Sequence, residues 1–127
     1  MKEYMLLIRN TADSKESFTP AQHHEFVKSC EVYIGNLKKE NKLIAAQPLI
    51  REGKMISGTP GNWNEGSYNE GKDVQVGYYH IRAKGMDEAI AIAKGNPEFA
   101  FTTTARVEVR PIKMKEEVTG FKYPTKA

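Results

Sequence analysis

Cysteine is nearly absent. Cys30 is the only one in 127 residues, so no intramolecular disulfide can form and a disulfide-stapled secreted scaffold is excluded. Long hydrophobic runs are missing too. The longest apolar stretch near the start, Tyr4 to Ile8, is closed by Arg9 and is too short for a signal-peptide core or a membrane span. A cytoplasmic chain without membrane contact is therefore expected. Charge of one sign is scarce: 19 Lys+Arg against 16 Asp+Glu leave a net +3. The densest basic spot, Lys38-Lys39, is followed at once by Glu40, which reads as a solvated helix end rather than a phosphate-binding patch. No His-x-x-x-His, Cys-x-x-Cys or Glu-x-x-His spacing occurs, and adjacent His23 and His24 would diverge by about 100° on a helix, so no metal site is expected. No glycine loop leads into a helix, so no nucleotide cofactor is expected either.

What is present suits one globular domain: 39% apolar and 28% charged residues. Tyr4 to Ile8 reads as a strand buried on both faces. Thr19, Pro20 and Gln22 form a capping box with proline at the first helical position. From there Phe26/Val27, Cys30, Ile34 and Leu37 make one apolar stripe, with Asn41 as a left-handed cap after Glu40. Leu43 to Ile50 is a strand, with Pro48 limiting its ladder and pointing to an edge or a bend there. Met55-Ile56 starts a short strand, and Gly58 to Gly71 reads as a long polar loop. Val74 to Arg82 is a strand with Val74, Val76, Tyr78 and His80 on one face and Gly77, Tyr79 and Ile81 on the other. Met86 to Ala93 is a small helix stopped at Lys94-Gly95. Thr104 to Ile112 alternates, with Arg106, Glu108 and Arg110 opposite Val107 and Val109.

The order is β-α-β-β-α-β, the plan of an α+β, ferredoxin-like fold: an antiparallel four-stranded sheet with two helices on one face. Residues 1–112 form this domain and 113–127 a polar tail. Helices on one face leave the other uncovered, and pairing two such sheets would cover it, so a homodimer is expected. RNA-recognition domains share this strand order. The Val74 to Arg82 strand lacks their Lys/Arg-Gly-Phe/Tyr string, so nucleic acid is not an expected partner.

Three segments carry a family resemblance. Lys2 to Ile8 resembles a "YMLLI" opening. Glu65 to Asp73 followed by Gly77 to Ile81 resembles "DGPFAETKE…GYYII". Asp87 to Ala93, Pro97 and Glu108 to Ile112 resemble "DEALEWA…P" and "EVRPI". Together they resemble the YCII-related family in its DGPF-domain branch. The resemblance implies a dimeric α/β-barrel, a family largely without assigned chemistry, and members associated with sigma-type transcription-factor genes. Relatives in the wider fold group include isomerases and dehydrochlorinases acting on small ring compounds. Glu65, Ser67 and Tyr68 stand where the branch has Asp, Pro and Phe. The helix histidine that pairs with an aspartate in the family matches Cys30 here, so that dyad is not carried over.

Candidate site residues follow. His23 and Glu65 are acid–base candidates. Tyr68, Glu70, Tyr78, His80 and Arg110 are binding candidates, with Arg110 able to take a carboxylate. Trp63 belongs with Tyr68 beside the paired carboxylates Glu65 and Glu70. Each has an ordinary structural reading beside it: a helix-start histidine, a solvated loop, a polar dimer interface. Cys30, on the buried stripe, is expected to be inert. The expected function is a homodimeric domain binding a small anionic or aromatic molecule in a cleft, with cofactor-free acid–base chemistry of lyase or isomerase type. The alternative is a non-catalytic dimerisation module associated with transcriptional regulation.

Overall fold

The computed structural model describes residues 1–68 and 73–125. Its order is β1 (Lys2–Thr11), α1 (Pro20–Lys39), β2 (Leu43–Pro48), β3 (Lys54–Thr59), β4 (Asn62–Ser67), β5 (Asp73–Ala83), α2 (Met86–Lys94), α3 (Glu98–Phe101) and β6 (Arg106–Pro111). Four strands form an antiparallel sheet ordered β2-β5-β1-β6, and β3-β4 form a separate two-stranded hairpin. The two helical crossovers, β1–α1–β2 and β5–α2–β6, make this the ferredoxin-like α+β arrangement, with α1 and α2 on one face.

Helix α1 begins where the sequence signals it. The Gln22 backbone N–H donates to Thr19 Oγ1 at 3.1 Å, and the Thr19 N–H donates to Gln22 Oε1 at 2.8 Å. The helix ends at Lys39, with Asn41 in the left-handed region at φ 57°. Its inner side presents Tyr33, Ile34 and Leu37 to a core centred on Leu6 and Ile81, both fully buried. Burial of that kind is worth about 2 kcal/mol per side chain. Tyr33 meets Tyr79 edge-on at 5.2 Å, and its hydroxyl donates to the Ile92 carbonyl at 2.6 Å. That ties α1 to both the sheet and α2.

Four local expectations are corrected. β1 is not buried on both faces: Tyr4, Leu6, Ile8 and Asn10 point under the helices, while Met5, Leu7 and Arg9 are half-buried on the opposite face. In β5 the alternation breaks. Ile8 pairs with Gly77 but Arg9 pairs with Gln75, so one extra residue forms a bulge at Val76-Gly77. Val74 and Val76 therefore share the helix-covered face with Tyr79 and Ile81, not with Tyr78 and His80. A side chain at Gly77 would place its Cβ 2.9 Å from the Gln47 carbonyl of β2, so glycine lets the edge strand close up there.

The polar segment from Gly58 is not one loop. Asn62 to Ser67 pairs with Lys54 to Thr59 in register, turning at Pro60-Gly61 with Gly61 at φ 82°. Proline followed by a positive-φ glycine is a type II turn signature. The edge strand β2 stops at Pro48, two residues earlier than expected. α3 was not foreseen.

Candidate functional site

The core strand β1 carries polar Asn10 at the same parity as Leu6 and Ile8, and the structure buries it completely. Its amide is fully used. Oδ1 accepts from the Thr11 N–H at 2.8 Å and the Thr104 hydroxyl at 2.6 Å. Nδ2 donates to Glu98 Oε2 at 2.8 Å and to Thr102 Oγ1 at 3.0 Å. Glu98 itself is only 5% exposed. Its other oxygen takes an ion pair from Lys15, which leaves the loop after β1 with its ammonium 4.6 Å above the Phe26 ring. Asn96 stops α2 and starts α3: its Oδ1 accepts the Glu98 backbone N–H at 2.9 Å. Asn96 Nδ2 is buried with no hydrogen-bond partner among the described residues.

Of these groups Lys15, Asn96 and Glu98 line a cavity of about 460 Å³ between α1 and the sheet and form its floor, a volume in the range of small-molecule sites. Phe26, Cys30 and Ile34 wall it from the helix, and Ile8, Val76 and Tyr79 from the sheet. His23 and Glu31 line it from exposed positions, so they stand at its mouth, as does Arg51. The Arg51 guanidinium is held by the Ala12 carbonyl at 2.6 Å and by Ser14 Oγ at 3.3 Å. Burial pushes the Cys30 thiol above its ordinary pKa, the Glu98 charge adds to this, and Lys15 works against it. Burial likewise raises the Tyr33 and Tyr79 phenols. Cys30 is thus protonated and weakly nucleophilic at neutral pH.

The sequence-predicted residues divide among three places. His23 is at the cavity. Tyr78, His80 and Arg110 share the uncovered face of the sheet. There Met5 lies between His80 and Arg110, and Leu7 lies between Tyr78 and Glu108. His80 Nε2 is 2.6 Å from Glu3 Oε1, and Arg110 lies 3.7 Å from Glu108. At one end of this face Arg9 and Arg106 both bind Asp73, holding its carboxyl below the usual range. Glu65 and Trp63 are exposed on β4, and the Tyr68 ring lies against Gly53 at the hairpin base. Glu70 lies outside the described residues. Within one chain the sheet therefore separates His23 from Arg110, and Glu65 does not line the cavity. Asn10, Lys15, Asn96 and Glu98 were not singled out from sequence. The signal available was the parity of Asn10, a polar residue in a core register.

Among the described residues no cluster of three or more His, Cys, Asp or Glu could hold a metal ion, and no helix is long and apolar enough to cross a membrane. The model of the YCII-related domain matches residues 2–113, so the chain belongs to that family. No curated protein matches the chain.

The ion pair at the floor generates a prediction. Lys15→Met leaves the Glu98 carboxylate buried with one neutral donor and should cost about 3 kcal/mol. Adding Glu98→Gln should recover most of that loss, because both charges are then gone. Denaturant midpoints of the four proteins measure this cycle. A double variant no more stable than Lys15→Met alone would contradict it.

Proposed function

We propose that the chain binds a small, largely apolar molecule of aromatic-ring dimensions in the cavity under α1. The observation that carries this reading is a cavity with apolar helix and sheet walls that ends on a buried polar floor with an unsatisfied donor. Apolar walls supply affinity through area removed from water, and a few polar groups fix orientation. Of the two expected acid–base groups, His23 is at this cavity, so proton transfer to or from a bound ligand falls to it. We also place the chain in the DGPF branch of its family, on the segments Glu65 to Asp73 and Glu108 to Ile112.

Cys30 is the only thiol and lines the cavity, so it reports on occupancy. Its raised pKa should make iodoacetamide alkylation slow at neutral pH and faster as pH rises past the ordinary thiol range. In a panel of one- and two-ring aromatics, at least one member should slow that alkylation severalfold in the folded chain and not in urea. A panel with no protecting member would overturn the reading.

A second reading, compatible with the first, makes the uncovered sheet face a self-pairing surface. Half-buried Met5 and Leu7 run down its centre, with Tyr78 and His80 on one side and a charged row, Glu108 beside Arg106 and Arg110, on the other. A two-fold copy could cover the apolar strip and match opposite charges at its rim. Light scattering should give a dimer mass, and Leu7→Lys should reduce it to the monomer. A monomer mass for the parent chain at micromolar concentration would contradict self-pairing.

A further inference from the structure

The cavity floor also narrows the class of ligand, an inference that rests on the cavity reading above. Its described charged lining residues, His23 aside, balance: Lys15 and Arg51 are cations, Glu98 and Glu31 carboxylates. Among the described residues Lys15 is paired with a carboxylate, while Arg51 is held by neutral oxygens at the exposed mouth. An anionic group at the floor would lose its hydration and would sit near the Glu98 carboxylate, with Lys15 already paired and Arg51 away at the mouth. What the floor does offer is one neutral donor. Asn96 lines the cavity, is 4% exposed, and has its Oδ1 occupied by the Glu98 N–H, while Nδ2 is unpaired. A buried donor left without an acceptor carries its full desolvation cost, and a ligand oxygen that meets it relieves that cost.

We infer that the ligand of this cavity is an uncharged ring compound bearing a carbonyl oxygen, with that oxygen accepting a hydrogen bond from Asn96 Nδ2 and the ring lying between Phe26 of α1 and Val76 and Tyr79 of the sheet. Asn96 is then a specificity residue: its acceptor side builds the turn into α3, and its donor side reads the ligand. A polarised carbonyl is also the group next to which a proton is most easily removed, which suits a histidine at the mouth.

Three naphthalenes of matched shape test this: 2-acetylnaphthalene, 2-ethylnaphthalene and 2-naphthoate, each titrated by fluorescence and by protection of Cys30. The ketone should bind roughly tenfold tighter than the hydrocarbon, the value of one hydrogen bond to a buried donor, and tighter than the carboxylate. Asn96→Leu is close in size and removes the amide donor, at the loss of the acceptor for the Glu98 N–H. It should erase the preference for the ketone over the hydrocarbon while the hydrocarbon still binds. Asn96→Ala, followed by circular dichroism for folding, should do the same. Equal binding of ketone and hydrocarbon to the parent chain, or tighter binding of the carboxylate, would overturn the inference and leave the cavity reading in place. Failure of all three to protect Cys30 would overturn both.

Discussion

A carboxylate shut away from water has to be answered by donors, and Glu98 imposes that requirement on the elements around it. The desolvation cost of an unpaired buried charge is several kcal/mol, more than most single contacts return. Asn10 and Lys15 meet it from 88 and 83 residues away. Asn10 is in turn fixed by Thr102 and Thr104, just before β6. One side chain thus fastens the end of β1, the loop into α1, and the segment between α2 and β6. The aromatic cluster of Phe18, Phe26 and Phe101, with Phe26 and Phe101 5.4 Å apart, packs beside this polar knot. The cavity exists because α1 is held at this end by Lys15 and Phe26 and at the other by Tyr33 and Leu37, while the wall between is built of shorter side chains such as Cys30 and Ile34.

The two sheet faces take different work. The helix-covered face carries the core and the cavity. The opposite face carries Tyr78, His80 and Arg110, with their ionic partners Glu3 and Glu108. The bulge at Val76-Gly77 sets this division, because without the extra residue Val76 would fall on the uncovered face and leave the cavity. The β3-β4 hairpin stands apart from both. Trp63 and Ile56 are exposed on one of its faces, and an isolated hairpin is marginal in water.

Much of the fold was legible because its signals are local. The capping box at Thr19 and Gln22, the Asn41 cap, the helix stripe and the alternation of Arg106 to Arg110 each need only a few adjacent residues. The second strand of the hairpin was misread as loop because glycine, asparagine and Pro60 outweighed the β-forming Trp63. The bulge was misread because an unbroken alternation through Val74 to His80 is the simplest reading of that segment, and only its pairing with β1 reveals the extra residue. Of the site, His23 was legible from its place at the head of the helix stripe. The floor was not. Asn10, Lys15 and Glu98 look like turn and surface residues until the chain folds them together, and no spacing rule spans that separation. Asn96 directly follows the Lys94-Gly95 helix stop, and nothing in its spacing singles it out. The ligand-reading role proposed for it rests on an amide nitrogen buried without a partner among the described residues.

The claim on which the account turns is that the ligand enters between α1 and the sheet. It is tested most directly by a ¹H–¹⁵N correlation titration of the full chain with 2-acetylnaphthalene. The account predicts shifts at Phe26, Cys30 and Ile34 together with the Asn96 side-chain amide, while the uncovered face stays still. Shifts confined to Met5, Leu7, Tyr78 and His80, or to the hairpin at Ile56 and Trp63, would contradict it.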